Sequence, residues 1–312
     1  MRSSAIAVSG LRKAYGDKVV LDGIDFEVPE GSVFSMLGPN GAGKTTTVNI
    51  LATLLKADAG TVRVAGHDVA TATKQVRGAI GVTGQFAAVD ALLTGRENLR
   101  LMADLKRVPS GEQTVTQLLE RFGLMESADK MAATYSGGMN RKLDLAMTLV
   151  GNPQIIFLDE PTTGLDPRSR RTMWGIVRDL VAGGTTIFLT TQYLEEADEL
   201  ADRIVVLDDG RLVAEGTPEE LKRQAPGTHV RLRLADLDDL DTAARILPGA
   251  TRDDQELTLR VPSNGDAKSL RALLDRLDEH AVNALEFSVH TPDLDDVFLA
   301  LTGRASTKEE AK

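Results

Sequence analysis

The sequence predicts an α/β protein with a mainly parallel central sheet, followed by a small α+β domain. Three observations carry that expectation. In the N-terminal part, strand-like runs (VVLDGIDFEVP, SVFSMLG, IGVTG, QIIFLDE, TTIFLTT, RIVVLDDGRLVAEG) alternate with helix-like ones. Within them IIFL and TIFL are nearly all apolar, the pattern of central strands covered by helices on both faces. After about Gln224 the pattern changes, with a turn-rich APGT followed by the short alternating segments HVRLRL, ELTLRV and NALEFSV.

Each element follows from local pattern. ENLRLMADL and VTQLLERFGL repeat apolar positions at three and four residues, which predicts a separate helical lobe at about 86–135. AKSLRALLDRLDEH and PDLDDVFLALTG read as helices interleaved with the C-terminal strands. The expected divisions are therefore residues 1–224, 225–304 and a polar tail at 305–312. The first job expected of the second domain is assembly or stabilisation of the chain, with ligand binding as the alternative.

Composition removes several chemistries. The chain has 312 residues, 42% hydrophobic and 26% charged, the balance of an ordinary soluble protein. With no cysteine it has no disulfide, thiolate nucleophile or thiolate metal site, and four scattered histidines give no structural zinc pattern. The start MRSSAIAVSGLRKAYG holds no signal-peptide apolar run, and nowhere is there an apolar run of about 18 residues, so a cytosolic chain is expected. A net charge of −10 opposes nonspecific attraction to nucleic acid or to anionic lipid. A membrane role would then need a protein partner.

GPNGAGKTT follows the strand-like VFSML and precedes the helix-like TVNILATLL, giving strand, glycine-rich loop and helix in the order of a phosphate-binding loop. It comprises Gly38, Pro39, Asn40, Gly41, Ala42, Gly43, Lys44, Thr45 and Thr46. The glycines let backbone N–H groups wrap a phosphate while the helix N-terminus adds favourable charge. Lys44 supplies a cation, and the Thr45 hydroxyl suits Mg²⁺, which takes few protein ligands beside phosphate oxygens.

QIIFLDEP supplies acids, because a strand ending in Asp159-Glu160 delivers two carboxylates to the carboxyl edge of the same sheet. Asp159 is placed to hold the Mg²⁺ shell and Glu160 to act as general base on an attacking water. YSGGMNRKLDLAMTLVGNP then opens an amphipathic helix with a Ser-Gly-Gly turn, a second anion cradle. One nucleotide does not need two such cradles, so the second serves a nucleotide held by another copy of the chain.

The phosphate loop, Ser136-Gly137-Gly138-Met139 and IIFLDEPTTGLDPRSR together resemble the ATP-binding-cassette (ABC) family of ATPases, over roughly Ile6 to Leu221. VTGQFAAVD, TTQYLEEADELADRI and DLDDVFLALTG further resemble its daunorubicin-resistance subgroup of drug and lipid exporters. The resemblance implies an ABC-type P-loop domain with an antiparallel N-terminal sheet. It also implies a head-to-tail homodimer in which Ser136, Gly137 and Gly138 of one copy close over ATP held at residues 38–46 of the other.

By the same resemblance Tyr15 stacks on adenine, Gln85 touches Mg²⁺ and the attacking water, and Asp166 lies between protomers. From the sequence alone Asp166 reads equally as a turn former before Pro167. The helical lobe meets a separate membrane permease, with Gly95-Arg96-Glu97-Asn98 as the expected contact edge, which places the chain at the cytoplasmic face of the membrane.

Two departures stand out. Asn140 removes a positive charge usual beside the signature turn, and Gln192 replaces the histidine that reaches the γ-phosphate in most relatives. Glutamine donates a hydrogen bond but never becomes a cation near neutral pH. The function expected is ATP hydrolysis by Lys44, Glu160, Gln192 and Mg²⁺, powering export of a hydrophobic drug, antibiotic or lipid. The alternatives are a soluble cassette ATPase of repair or translation, against which the acidic chain and the lack of a basic insertion weigh, and a nucleotide-gated drug-sequestering protein.

Overall fold

The computed structural model describes residues 4–84, 88–223, 228–263, 266–290 and 293–302; Gln85, most of APGT and the polar tail lie outside these. Two compact units divide at Pro218 and Glu219, upstream of the APGT turn.

The first unit is built on a six-stranded sheet of order β10-β9-β3-β8-β7-β6. Its strands are β3 (Val33–Leu37), β6 (Ile80–Thr83), β7 (Ile155–Asp159), β8 (Thr186–Thr191), β9 (Arg203–Asp208) and β10 (Arg211–Gly216). All pair in parallel except β10, which returns antiparallel to β9. The apolar runs IIFL and TIFL are β7 and β8, buried along their whole length as expected.

An antiparallel sheet of order β2-β1-β4-β5 is made by β1 (Ser4–Tyr15), β2 (Lys18–Pro29), β4 (Ala59–Val64) and β5 (His67–Asp68). Phe34, Phe188 and Phe157 stand in register across β3, β8 and β7. Phe26 of β2 stacks on Phe34 at 5.4 Å between ring centroids, so aromatic packing locks one sheet onto the other. On the opposite face Ile156, Leu158, Ile187 and Leu189 share a core with the helices α5 (Gly137–Leu149) and α6 (Pro167–Ala182). Helix α1 (Lys44–Leu51) follows β3, α2 (Thr73–Ala79) precedes β6, and α7 (Leu194–Leu200) follows β8. This arrangement brings the carboxyl ends of β3, β7 and β8 together at one edge.

The expected helical lobe is formed by α3 (Gly95–Leu105) and α4 (Gly111–Arg121). A capping box starts α3, Thr94 Oγ1 accepting the Glu97 N–H while the Glu97 carboxylate accepts that of Thr94. A short helix, α8 (Pro218–Lys222), begins at the last residue of the first unit and runs into the second.

The second unit is a four-stranded antiparallel sheet of order β12-β13-β11-β14. Its strands are β11 (His229–Leu234), β12 (Thr251–Asp253), β13 (Thr258–Pro262) and β14 (Ala284–His290), and its helices α9 (Leu237–Ile246), α10 (Ala267–Glu279) and α11 (Leu294–Thr302). Val230 and Leu232 of β11 are buried beside Leu240 of α9 and Leu273 of α10. Their cross-strand partners Val289 and Phe287 stay exposed, Phe287 by 55%, because those helices do not cover β14. Among the described residues one trio brings metal-type donors together, His290, Asp293 and Asp296. Its internal bonds explain it: at the start of α11 the Asp293 N–H donates to the Asp296 carboxylate and the Asp296 N–H to the Asp293 carboxylate, and His290 pairs with Asp296 at 2.7 Å.

Candidate active site

The loop between β3 and α1 has the backbone that its sequence demands. Gly41 and Gly43 sit at φ +83° and +114°, the region that side chains rarely adopt. At Gly38 a Cβ would lie 2.3 Å from the Leu207 carbonyl oxygen, so only glycine lets the loop pass that close to β9. The loop packs down on Lys44, whose buried ammonium donates to the carbonyls of Gly38 (2.7 Å) and Pro39 (3.1 Å) and lies 3.4 Å from the Glu160 carboxylate. Burial pushes the Lys44 ammonium below its ordinary pKa, and Glu160, then Asp159, oppose that fall.

Asp159 ends β7 facing this loop. Thr45 Oγ1 donates to Asp159 Oδ2 at 2.9 Å, and the Thr190 hydroxyl donates to the other oxygen. A hydroxyl and a carboxylate oxygen side by side next to a phosphate-type loop are hard-oxygen donors of the kind Mg²⁺ takes, so the residues present fit that ion. Glu160 follows with φ +48°, a strained conformation for a residue with a side chain. Its N–H bonds the Thr190 carbonyl at 3.0 Å, fixing the turn between the ends of β7 and β8.

Sequence reasoning missed the cation that holds this turn from behind. Arg141 of α5 is buried and donates to the carbonyl of Pro161 (2.8 Å), to those of Asp159 (3.3 Å) and Glu160 (3.4 Å), and to that of Gly84 (2.9 Å). The available signal was a pair of opposite charges three apart, Arg141 and Asp144, in a helix otherwise rich in leucine and methionine.

The remaining expected residues fall as follows. Ser136 is the N-cap of α5, accepting the Met139 N–H at 3.3 Å. Asp166 is the N-cap of α6, accepting from the N–H groups of Arg168 and Ser169 and from the Ser169 hydroxyl, which holds its carboxyl below the ordinary range. At Gly138 a Cβ would come within 2.8 Å of that hydroxyl, so Gly137-Gly138 and Asp166 meet where α5 and α6 begin. Tyr15 ends β1 half exposed, with the Lys13 ammonium 5.6 Å from its ring centre.

Gln192 follows Thr191, the register partner of Leu37, and so stands beside the start of the phosphate loop. It does not cap α7, whose N-cap is Tyr193. Gln85 falls outside the described residues, between Gly84 and Ala88. The expected contact edge is largely consumed within the chain: Gly95 and Asn98 are buried, Glu97 caps α3 and Arg96 pairs with Asp129 at 2.7 Å. Next to it Leu92 is 78% exposed.

A family model for ABC transporters matches residues 21–163, and one for the C-terminal domain of DrrA1-3-like ATP-binding proteins matches residues 216–302. The daunorubicin resistance ATP-binding protein DrrA3 of Streptomyces coeruleorubidus is 47% identical over 100% of both chains. The Nod factor export ATP-binding protein I of Ralstonia nicotianae is 38% identical, covering 96% of this chain and 94% of its own. A dimeric ATP-binding cassette solved in a post-hydrolysis state with ADP and Pi matches with a TM-score of 0.63 and 25% identity, over 68% of this chain and 98% of that one. A likeness that runs the full length of both chains and embraces the two units alike places this chain among the DrrA-like ATP-binding subunits of ABC transporters, a family of ATPases.

Proposed function

We propose that the chain is the ATP-hydrolysing subunit of an exporter that drives a hydrophobic drug, antibiotic or lipid through a separate membrane permease. The observation that carries the chemistry is the convergence of Lys44 and Thr45, after β3, with Asp159 and Glu160, at the end of β7, two strand ends on either side of β8. Exposed loop N–H groups and Lys44 hold the phosphates, Tyr15 stacks on adenine, and Glu160 takes the proton of the attacking water. Thr45 and Asp159, joined by Gln85, hold Mg²⁺, which when bound neutralises charge on the phosphate oxygens. Gln192 donates to the γ-phosphate as a neutral amide.

A second copy completes the site, its Ser136, Gly137, Gly138 and Asp166 closing over the nucleotide, as the dimeric solved relative encourages. The C-terminal unit adds to this pairing through β14. Among the described residues no helix is long and apolar enough to cross a membrane. The path for cargo therefore lies in the permease, which the helical lobe meets around the exposed Leu92 and which holds this chain peripherally at the cytoplasmic face.

The cargo class rests on relatives named for daunorubicin resistance and Nod factor export. Purification of the full chain from membranes should bring a polytopic permease with it, and the reconstituted pair should show ATPase stimulated by hydrophobic drugs. A chain that purifies free of membrane protein and ignores such compounds would overturn the exporter reading.

A further inference from the structure

Arg141 and Asp144 lie one turn apart on α5 and form a buried ion pair, Nη1 to Oδ2 at 3.4 Å. The guanidinium reaches in two directions. Towards β7 it holds three successive carbonyls, those of Asp159, Glu160 and Pro161, and towards β6 it holds that of Gly84. Asp144 uses its other oxygen to accept the Ala88 N–H at 2.9 Å. One ion pair thus grips both flanks of Gln85 and the whole turn that carries Glu160.

Stability alone does not call for this arrangement. A buried ion pair loses hydration, and a well-packed apolar pair in its place is commonly neutral or better for folding. The rest of α5 supplies apolar residues freely, with Leu143, Leu145, Ala146 and Met147 all buried. What an apolar pair lacks is a fork of N–H donors matched to several carbonyls at once. Those carbonyls belong to the turn in which Glu160 is held at φ +48°, a conformation that persists only where the surroundings over-determine it.

We propose that Arg141 and Asp144 are positioning residues for hydrolysis: they orient the Glu160 peptide, fix the spacing of Gly84 and Ala88, and tie both to the helix that begins at Ser136. The proposal rests on Glu160 being the general base. The pair acts through the backbone of Asp159, Glu160 and Pro161 and of Gly84 and Ala88.

The test uses the full chain with its permease and three variants: Arg141→Lys, Asp144→Asn, and the double variant Arg141→Met with Asp144→Leu. Lysine keeps the charge and loses the fork, so kcat should fall roughly 10- to 100-fold with KM for ATP nearly unchanged, the cost of a slightly misplaced reacting group. The double variant trades the ion pair for apolar volume but takes partners from the Gly84, Asp159, Glu160 and Pro161 carbonyls and from the Ala88 N–H, so it is assayed at a temperature where it remains folded, and its kcat should stay low. Wild-type kcat in a stable double variant, or in Arg141→Lys, would overturn the proposal and leave the pair a fold-holding contact. Glu160→Gln, measured alongside, separates the readings: full turnover there indicts the base assignment, whereas a dead Glu160→Gln beside fully active pair variants indicts the pair.

Discussion

The ammonium of Lys44 lies 3.4 Å from the carboxylate of Glu160, and both side chains are buried. One group is placed to hold phosphate and the other to take a proton from water, so Glu160→Gln removes the base while leaving Lys44 its bonds to the carbonyls of Gly38 and Pro39. Multiple turnover should fall by about 10²- to 10⁴-fold, the usual share of a general base. ATP binding should survive, read as retention of labelled ATP on the purified complex. Turnover near wild type would remove Glu160 from the role.

Gln192 gives the second prediction. An amide has no titration near neutral pH, so the wild-type pH–rate profile should carry no limb from this position. Gln192→His should add one near the ordinary imidazole pKa of about 6.5. Gln192→Ala should lower kcat by roughly tenfold, the value of about one hydrogen bond to a charged group. Since Tyr193 is the N-cap of α7, a loss in the alanine variant cannot be charged to an uncapped helix. Equal rates for Ala and Gln in hydrolysis and transport would end the phosphate-sensing role.

The phosphate loop, the Asp159-Glu160 strand end and the Ser-Gly-Gly turn were legible in the sequence because each needs fixed residue types at short spacing: glycine at positive φ, a hydroxyl, a carboxylate, an N-cap. Arg141 was not, since what it grips lies at Gly84 and at Asp159 to Pro161, far along the chain. The strain at Glu160 likewise leaves no mark in LDEP. In the second unit α9 and β12 were missed: the acidic LDDLDTAARI hides the apolar spacing of Leu240 and Ala243, and β12 is only TRD. The contact edge at Gly95 to Asn98 was matched by analogy, whereas the capping box that consumes Glu97 was written in its TGRE spelling.

Glu196 of α7 supplies a pH-dependent prediction. It is fully buried, accepts from Trp174 Nε1 at 3.3 Å, and burial pushes its carboxyl pKa up from 4.5, against the opposing pull of the nearby Thr191 and Thr162 hydroxyls and of the Trp174 N–H. A raised folded-state pKa means that the native chain binds this proton more tightly than the unfolded chain. Its favourable contribution is therefore full below pH 4.5 and is lost as pH rises through the folded value. Glu196→Gln keeps an acceptor for Trp174 without a charge to desolvate. It should raise thermal stability at neutral pH, each tenfold weakening of the acid by burial being worth about 1.4 kcal/mol, and the gain should vanish in acid. A gain independent of pH would assign the effect to packing.

The last prediction concerns β14, a seven-residue edge strand with Leu285, Phe287 and Val289 exposed, whereas the opposite edge, β12, is three polar residues. Edges are normally kept short or charged because unpaired N–H and C=O groups recruit another strand. Under a two-fold axis at Phe287, antiparallel pairing of two copies sets Leu285 against Val289, Phe287 against its own copy, and Glu286 against Ser288, with no like charges opposed. Phe287→Lys would place two ammonium groups on that axis in place of an aromatic pair worth up to about 1 kcal/mol, so association of the full chain without nucleotide, measured by light scattering, should weaken by roughly fivefold. The ATP-trapped dimer of the Glu160→Gln background draws instead on the phosphate loop and the Ser136 turn, and should persist in the double variant. If the lysine variant associates as the wild type does, the exposed face of β14 serves some other contact and pairing of copies falls to the ATPase unit alone.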